Sequence, residues 1–263
     1  MELPIYHLDA FTSRRFGGNP AGVVVLNDWL PDAALQSIAA ENNLAETAFL
    51  VPGEREVAVR WFSPSMEIDL CGHATLASAS VLFSTRRARG EEIVFRYKGG
   101  TLTVTRQGDL LAMDFPARPP EPARPDAAVA AALGKAPKEL LRSRDLMAVF
   151  ETREEVAALR PDMGAIERLD TFAVMATAPG RDCDFVSRFF APKAGVPEDP
   201  ATGSSHCTLI PFWSARLGRK SLRSLQISPR VGEFLCEDRG TRVTIAGRVV
   251  EYLRGTITVD SGD

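Results

Sequence analysis

One short pattern in the chain reads Arg60-Trp61-Phe62-Ser63-Pro64, and it returns 128 residues later (188 minus 60) as Arg188-Phe189-Phe190-Ala191-Pro192. Seven residues after each proline stands Cys71 in the first half and Asp199 in the second. Each of these residues leads into a run of small and apolar residues that predicts a buried helix. The two halves therefore share an order of strand, turn and helix, with Cys71 aligned to Asp199.

Further positions repeat in the same order. Gly100 and Gly108 match Gly232 and Gly240 at an offset of 132 (232 minus 100), and similar predicted strands flank both pairs. An internal repeat indicates a duplicated structural unit. We predict an α+β fold with two pseudo-symmetric domains, each a mostly antiparallel sheet wrapped around a central helix. The alternative is that two unrelated α+β domains share this order by chance.

The boundary between the halves follows from composition. Residues 116–125 include five prolines, which is typical of a stiff extended linker. We therefore predict an N-terminal domain over 1–117 and a C-terminal domain over 118–263. Apolar spacing predicts helices over 32–42 and 73–83.

Composition excludes several classes of protein. The chain has 263 residues, of which 45% are hydrophobic and 25% charged, with a net charge of −3. These values are typical of an ordinary globular protein and argue against disorder or a nucleic-acid partner. No apolar run approaches the ~20 residues that cross a bilayer, and no secretory signal is visible. We expect a cytoplasmic protein without a membrane partner, whose four scattered cysteines are reduced.

The motifs of common cofactor and metal sites are missing from the sequence. We find no HExxH, CxxC or acidic metal-ligand spacing, and we predict no metal site. We find no GxGxxG or P-loop either, so a nucleotide cofactor has no support. His206 is predicted to pack inside a helix rather than act as a base.

The starts of the two central helices are the first candidate binding sites. Asp69 to Thr75 and Glu198 to His206 each place a glycine, Gly72 or Gly203, where a helix begins. Unpaired N–H groups and the helix dipole favour an anion there, and glycine allows close approach. We expect Gly72, Thr202, Gly203 and Ser204 to contact a substrate carboxylate. Ordinary N-capping by Asp, Thr and Ser is the alternative.

Glu46 is the candidate acid or base. It lies between small and apolar residues at the start of a predicted strand, and partial burial would raise its pKa. In the repeat alignment, Glu46 falls at about Ala173, which is not acidic. The duplicated scaffold therefore has one acid at this position rather than two. A surface glutamate is the alternative.

Several segments together resemble the phenazine-biosynthesis-type (PhzF-like) isomerase family over essentially the whole chain. They are Asp9 to Thr12, Gly17 to Gly22, Asn42 to Phe49, Asp69 to Thr75, Glu198 to Ser204, Gln226 to Ser228 and Arg242 to Gly247. The resemblance implies a diaminopimelate epimerase-like fold with a cleft between two domains. It also implies a reaction without cofactor or metal. It is compatible with a homodimer but does not determine the oligomeric state. The last strand, near 255–260, would return to the first domain's sheet.

The resemblance also implies roles for individual residues. Glu46 resembles the residue that shuttles a proton, and Asn19 resembles a polar residue that lines the cleft. His73, Asp199 and Ser204 resemble the supporting catalytic residues. We therefore expect these residues to converge on one interdomain cleft, although they lie far apart in the sequence.

Three functional hypotheses follow from the sequence. The first is a cofactor-independent isomerase that moves a proton on a small, amino-acid-like carboxylate by acid/base catalysis. The second is a non-catalytic protein that binds a small molecule on the same scaffold. The third is an enzyme that uses the single thiol of Cys71, because thiol pKa values fall at helix starts. Two-thiol chemistry is not expected, because Asp199 is aligned with Cys71.

Overall fold

The computed structural model of the chain describes residues 1–260. Two compact units form within this range. Unit 1 consists of Met1–Asp114 together with the segment that begins at Ala246, and unit 2 consists of Phe115–Ile245. The chain is mixed α/β, with mostly strands and few helices.

The first half of the chain forms eight strands and two helices. They are β1 (Glu2–Ala10), β2 (Asn19–Val25), α1 (Asp32–Asn42), β3 (Glu46–Pro52), β4 (Val57–Phe62), β5 (Glu67–Ile68), α2 (Gly72–Ser84), β6 (Glu92–Tyr97), β7 (Gly100–Gln107) and β8 (Leu110–Pro116). Both predicted helices are present, since α1 spans 32–42 and α2 extends the predicted 73–83 by one residue at each end.

The second half of the chain has more helices. Its elements are β9 (Glu121–Pro122), α3 (Ala127–Leu133), β10 (Glu139–Arg142), β11 (Leu146–Val149), α4 (Arg153–Ala158), α5 (Met163–Arg168), β12 (Val174–Pro179), β13 (Phe185–Ala191), β14 (Val196–Asp199), α6 (Gly203–Leu217), β15 (Ser221–Gln226), β16 (Gly232–Asp238), β17 (Arg242–Gly247) and β18 (Val249–Thr258). The proline-rich segment is not only a linker, because β9 pairs with β10.

The last strand belongs to unit 1. β18 pairs antiparallel with β1 from Glu2↔Thr258 to Ala10↔Val249. From the sequence, only residues 255–260 were expected to return to the first domain. The returning strand is longer, and it begins at Val249 because the pairing runs along the whole of β1.

The two units have the same order of strand pairing. In unit 1, β1 and β2 are antiparallel, β2 and β3 parallel, β3 and β4 antiparallel, β4 and β6 parallel, and β6 and β7 antiparallel. In unit 2, the same sequence of pairings joins β10, β11, β12, β13, β15 and β16. This shared topology supports the duplication that the sequence repeat indicated.

The predicted alignment of Cys71 with Asp199 is wrong. Trp61 on β4 pairs with Ile68, whereas Phe189, its counterpart on β13, pairs with Asp199. Asp199 therefore corresponds to Ile68. The connection from β13 to β14 contains a 3-10 turn, Pro192–Ala194, that shifts the repeat offset after the strand.

The helix starts give the corrected equivalence. Cys71 is the N-cap residue of α2, and Thr202 is the N-cap residue of α6. The offset at this point is 131 (202 minus 71) rather than 128. Thr202, and not Asp199, stands where unit 1 has Cys71.

Helix α2 lies in the core of unit 1, as its composition predicted. Most of its residues between His73 and Leu82 are buried, and the helix packs against β1, β2 and β3. Two of its buried hydroxyl side chains bond to the backbone at the start of the helix. The Thr75 hydroxyl donates to the Cys71 carbonyl and the Ser78 hydroxyl to the Ala74 carbonyl. These bonds allow a helix with hydroxyl groups to be buried, since buried polar groups need partners.

Candidate active site

Two strands and a helix bring Asn19, Glu46 and His73 together in unit 1. β2 and β3 run parallel, with Ala21 opposite Glu46. Asn19 and Glu46 are the first residues of these strands, so both lie at the same edge of the sheet. His73, the second residue of α2, contacts both side chains.

The contacts form a compact polar cluster. His73 Nε2 lies 3.0 Å from Glu46 Oε2, and His73 Nδ1 lies 3.2 Å from the side-chain nitrogen of Asn19. Cys71 Sγ lies 3.5 Å from His73 Nδ1 and 4.0 Å from Nε2. We call these four residues the Glu46 cluster. Asn19 is fully buried, whereas the Glu46 side chain keeps 15% of its surface exposed.

Glu46 titrates in the direction opposite to the prediction. Burial raises the pKa of Glu46, but the charge and hydrogen bond of His73, together with a hydrogen bond from Cys71, outweigh that effect. The pKa of Glu46 therefore lies below its ordinary value. Sequence context revealed only the apolar neighbours of Glu46 and not its ionic partner, so the expected increase is corrected to a decrease.

His73 and Cys71 both titrate above their ordinary ranges. Burial lowers the pKa of His73, but Cys71 and Glu46 raise it by more, so the pKa lies well above its usual value. Burial raises the pKa of the Cys71 thiol, and the charge of Glu46 raises it further. The cluster thus favours a Glu46 carboxylate, a His73 imidazolium and a protonated Cys71. The imidazolium requires the Asn19 carboxamide to turn so that its oxygen, rather than its nitrogen, faces Nδ1.

Three of these side chains also have the spacing of metal ligands. Glu46, Cys71 and His73 each offer one ligand atom, and these atoms lie within 4.8 Å of one another. His73 Nε2 and Glu46 Oε2 are in direct ion-pair contact at 3.0 Å, and a cation bound to both atoms would have to displace the His73 proton. The sequence expectation of no metal stays a prediction.

The two central helices begin differently from the short helices. Asp126, Thr152 and Asp162 cap α3, α4 and α5 with side-chain hydrogen bonds. The N-cap side chains of α2 and α6, Cys71 and Thr202, make no capping hydrogen bond. Ordinary capping therefore does not explain these two helix starts. Their first-turn N–H groups lack the side-chain acceptor that the short helices have, a feature shared with α1, whose N-cap residue is Pro31.

The predicted site residues of unit 2 form a second cluster. The Thr202 hydroxyl donates to the carboxylate of Asp199, and both residues bond to the side chain of Gln226. Gly203 and Ser204 follow as the first two residues of α6. The Ser204 hydroxyl is partly exposed and has no hydrogen-bond partner among residues 1–260, which leaves it available to a ligand.

His206 packs inside α6, as predicted. Its Nδ1 lies 2.9 Å from the Thr202 carbonyl and its Nε2 lies 2.8 Å from the Ser224 hydroxyl. Its ring stacks on Phe234 with 3.8 Å between centroids. Burial lowers the pKa of His206 to about 4, so the ring is neutral. His206 therefore belongs to the core.

The structure thus brings the predicted residues together in two groups. Asn19, Glu46 and His73 meet in unit 1, beside Gly72 at the start of α2. Their convergence with the residues of unit 2 on one ligand stays a prediction. The sequence alone assigned no role to Gln226, although it falls on the buried side of the alternating strand β15, where a polar side chain needs partners.

Comparisons with known proteins agree over nearly the whole chain. The profile of the family described as "Phenazine biosynthesis-like protein" matches residues 8–255. An uncharacterized isomerase from Pseudomonas aeruginosa is 48% identical over 258 residues, which covers 98% of this chain and 99% of the relative. The crystal structure of a PhzF-family phenazine biosynthesis protein from Enterococcus faecalis has a TM-score of 0.97 at 44% identity, and covers 98% and 100% of the two chains.

A more distant structure confirms the fold. A hydroxyproline epimerase from Agrobacterium vitis, with bound trans-4-hydroxy-L-proline, has a TM-score of 0.62 at 11% identity and covers 99% of this chain and 94% of that one. This likeness concerns the fold alone and confirms the predicted diaminopimelate epimerase-like architecture. No helix of the described residues combines the length and the apolar character that crossing a membrane requires.

Proposed function

Since the chain belongs to the phenazine biosynthesis-like family and is an isomerase, we propose that it moves a proton between two carbon atoms of a small, amino-acid-like carboxylate without a cofactor. The observation that carries the proposal is the contact between Glu46 and His73, with 3.0 Å between Oε2 and Nε2. This contact places an ionised carboxylate beside a cation in a largely buried site.

Glu46 acts first as the general base. Its carboxylate takes a proton from a carbon next to an electron-withdrawing group, and the electron pair of the broken C–H bond spreads into the neighbouring π system. The low pKa of Glu46 keeps the base ionised before each turnover. It also means that Glu46 holds the transferred proton weakly and returns it readily to the substrate.

The proton returns on the side from which it came. Thr47 pairs with Phe62, and Val174 pairs with Phe190, the repeat counterpart of Phe62. The counterpart of Glu46 is therefore Ala173, which cannot carry a proton. A single acid/base group favours delivery to a second carbon on the same face, and inversion of one carbon would need a second acid on the opposite face.

The remaining residues bind and orient the substrate. The uncapped starts of α2 and α6, with Gly72, Gly203 and Ser204, offer N–H groups to a carboxylate and to negative charge that develops in the transition state. Asp199 is suited to an ammonium group. We propose that Asn19 and His73 hold Glu46 in place and stabilise its charge, and that both units act on one substrate.

The test is proton exchange from solvent. Protein α-amino acids and 2,3-unsaturated carboxylic acids are incubated with the enzyme in deuterated buffer, and NMR locates the deuterium. We expect the wild type to label or shift one of these compounds at a second carbon and Glu46→Gln to do neither. Glu41→Gln, the same change at an exposed position of α1, is the control. Equal exchange by wild type and Glu46→Gln would refute the role of Glu46.

The same experiment separates the isomerase from a binding protein. Gln is nearly isosteric with Glu and keeps hydrogen bonds to a ligand but cannot accept a proton as a carboxylate does. A binding protein would show ligand affinity, measured by calorimetry, without exchange in either variant. An isomerase retains ligand affinity in Glu46→Gln and loses only the exchange.

A further inference from the structure

Gln226 is a fully buried glutamine that none of the proposed proton-transfer steps uses. It is the last residue of β15, and its side chain faces the segment between β14 and α6. The Thr202 N–H donates to Gln226 Oε1 over 2.8 Å. Gln226 Nε2 donates to the Asp199 carbonyl over 2.6 Å and to Thr202 Oγ1 over 3.1 Å. An N–H on one side and two acceptors on the other leave one orientation for the carboxamide.

These bonds determine the direction of the Thr202 hydroxyl. Thr202 Oγ1 accepts a hydrogen bond from Gln226, so its own proton is free to point to the Asp199 carboxylate, with which it is bonded. A chain of donors therefore runs from Gln226 through Thr202 to Asp199. The chain fixes both the backbone and the carboxylate of Asp199.

Without Gln226, Thr202 has a competing partner. Threonine at an N-cap position ordinarily turns its hydroxyl to accept from the N–H two or three residues later. Thr202 makes no such bond, although it occupies the N-cap of α6. Gln226 thus keeps the Thr202 hydroxyl directed at Asp199 and away from the helix.

The fold itself does not require a glutamine at this place. Val57 pairs with Phe95 on β6, and its counterpart Phe185 pairs with Ser224 on β15. Two residues further on, Tyr97 in unit 1 therefore corresponds to Gln226 in unit 2. Unit 1 forms the same strand pairings with a tyrosine at this position. The glutamine is therefore not needed for strand pairing, and its role is specific to unit 2.

We propose that Gln226 is a positioning residue that orients the Asp199 carboxylate, through Thr202, toward the ammonium group of the substrate. This inference rests on the proposed function, in which Asp199 binds that group. The specificity for an amine-bearing carboxylate would then depend on a residue that never touches the substrate.

Two substitutions test the inference, and only the second should make KM depend on pH. Gln226→Met keeps the shape and removes every hydrogen bond, so KM for an amine-bearing substrate should rise ~10- to 100-fold, the size of a lost hydrogen bond to a charged group. Gln226→Glu can replace the bond from the Thr202 N–H and one of the two donated bonds, and it can donate only while its new carboxyl is protonated. Its KM should approach the wild-type value at low pH and rise as the carboxyl ionises, because a carboxylate cannot donate to the Asp199 carbonyl or to Thr202 Oγ1.

A control variant and a crystal structure distinguish the positioning role of Gln226 from a general loss of a buried glutamine. Gln36→Met removes one partly buried glutamine bond, to the Ser63 carbonyl on unit 1, and should leave KM unchanged. A crystal structure of Gln226→Met, or of Gln226→Glu at a pH at which the new carboxyl is ionised, should show Thr202 Oγ1 turned to the first-turn N–H groups of α6. If the variants fold with Thr202 still on Asp199, or if Gln226→Glu has the wild-type pH profile of KM, the inference is overturned.

The outcomes also separate this inference from the proposed function. If Glu46→Gln exchanges protons like the wild type, the proposed function fails whatever Gln226 does. If Glu46→Gln is inactive and the Gln226 variants keep wild-type KM, only the positioning role fails. If neither Gln226 variant folds, Thr202→Val decides, because it removes the same link to Asp199 and should raise KM by a similar factor.

Discussion

His73 Nε2 lies 3.0 Å from Glu46 Oε2, although the two residues come from the start of helix α2 and the start of strand β3. Each partner favours the charged form of the other, since opposite charges at this distance lower a carboxyl pKa and raise an imidazole pKa. The pair therefore behaves as one ionic unit that contains the candidate base. Cys71 and Asn19 contact the His73 ring, so substitutions at these two positions can change the pKa values of the pair.

Cys71→Ser should change proton exchange by less than about tenfold, against ~10²–10⁴-fold for removal of the general base in Glu46→Gln. Serine keeps a hydrogen-bond donor beside Glu46, and the raised pKa of the Cys71 thiol makes it a poor nucleophile. Exchange rates of both variants give the measurement, with Cys183→Ser as control. An inactive Cys71→Ser beside an active Glu46→Gln would establish the single-thiol alternative.

The contribution of the ionic pair to stability should depend on pH in a defined window. The lowered pKa of Glu46 adds stability that is fully present above its ordinary value of 4.5 and is lost as pH falls through the lowered value. The raised pKa of His73 adds stability that is fully present below 6.5 and is lost as pH rises through the raised value.

The free energy of unfolding should therefore differ most between wild type and Glu46→Gln from pH 4.5 to 6.5. Urea denaturation below, within and above this window measures the difference. Cys71 is a titratable group that contacts His73, and Cys71→Ser provides the control. A difference that keeps increasing on the alkaline side would contradict the assignment of His73 as the cation.

Much of the fold could be predicted because its signals are local. The boundaries of α1 and the burial of α2 follow from apolar spacing and small side chains. The repeat also predicted the shared topology. The alignment of Cys71 with Asp199 failed, because the turn at Pro192–Ala194 shifts the offset between a strand and the next helix, and a fixed offset cannot show such a shift.

The chemistry of the site was less predictable than its location. Glu46 and His73 could be named, but the sign of the Glu46 pKa depends on a contact between residues 27 positions apart (73 minus 46). The role of Gln226 likewise depends on bonds to Asp199 and Thr202 that only the folded chain forms. Sequence spacing does not reveal such distances.

Asn19 should control the titration of His73. Its side-chain nitrogen lies 3.2 Å from Nδ1, on the side of the ring away from Glu46. Asn19→Asp adds a negative charge there and should raise the pKa of His73 by about 1–3 units, the usual effect of a close opposite charge. Asn19→Leu, of similar size, removes the carboxamide oxygen that accepts from the imidazolium once the amide has turned, and should lower it. NMR titration of the His73 ring measures both changes, and a pKa that neither variant moves would rule out this control.

Removal of metal ions should leave proton exchange unchanged. Glu46, Cys71 and His73 have their ligand atoms within 4.8 Å, but the proposed reaction needs the Glu46 carboxylate free to accept a proton from carbon. Exchange is measured after dialysis against EDTA and again after addition of Zn²⁺ or Mn²⁺. Activity that is lost on dialysis and restored by one metal would show that the cluster works as a metal centre.

Asp199 and Glu46 should affect different kinetic constants of the same substrate. Asp199→Asn removes the charge proposed to bind the substrate ammonium group, so KM should rise ~10- to 100-fold while kcat changes little. Glu46→Gln removes the proton acceptor, so kcat should fall while the dissociation constant of the substrate changes little.

The comparison tests whether the residues of the two units act on one ligand. Both variants are assayed with one amine-bearing substrate and with its analogue in which hydrogen replaces the amine. Asp199→Asn should lose its effect with the analogue, because no ammonium group is left to bind, and Glu46→Gln should remain inactive with both. Asp184→Asn is the control, since Asp184 already pairs with Arg219 on the surface of unit 2. If Asp199→Asn behaves like this control with the amine-bearing substrate, Asp199 takes no part in the site that contains Glu46.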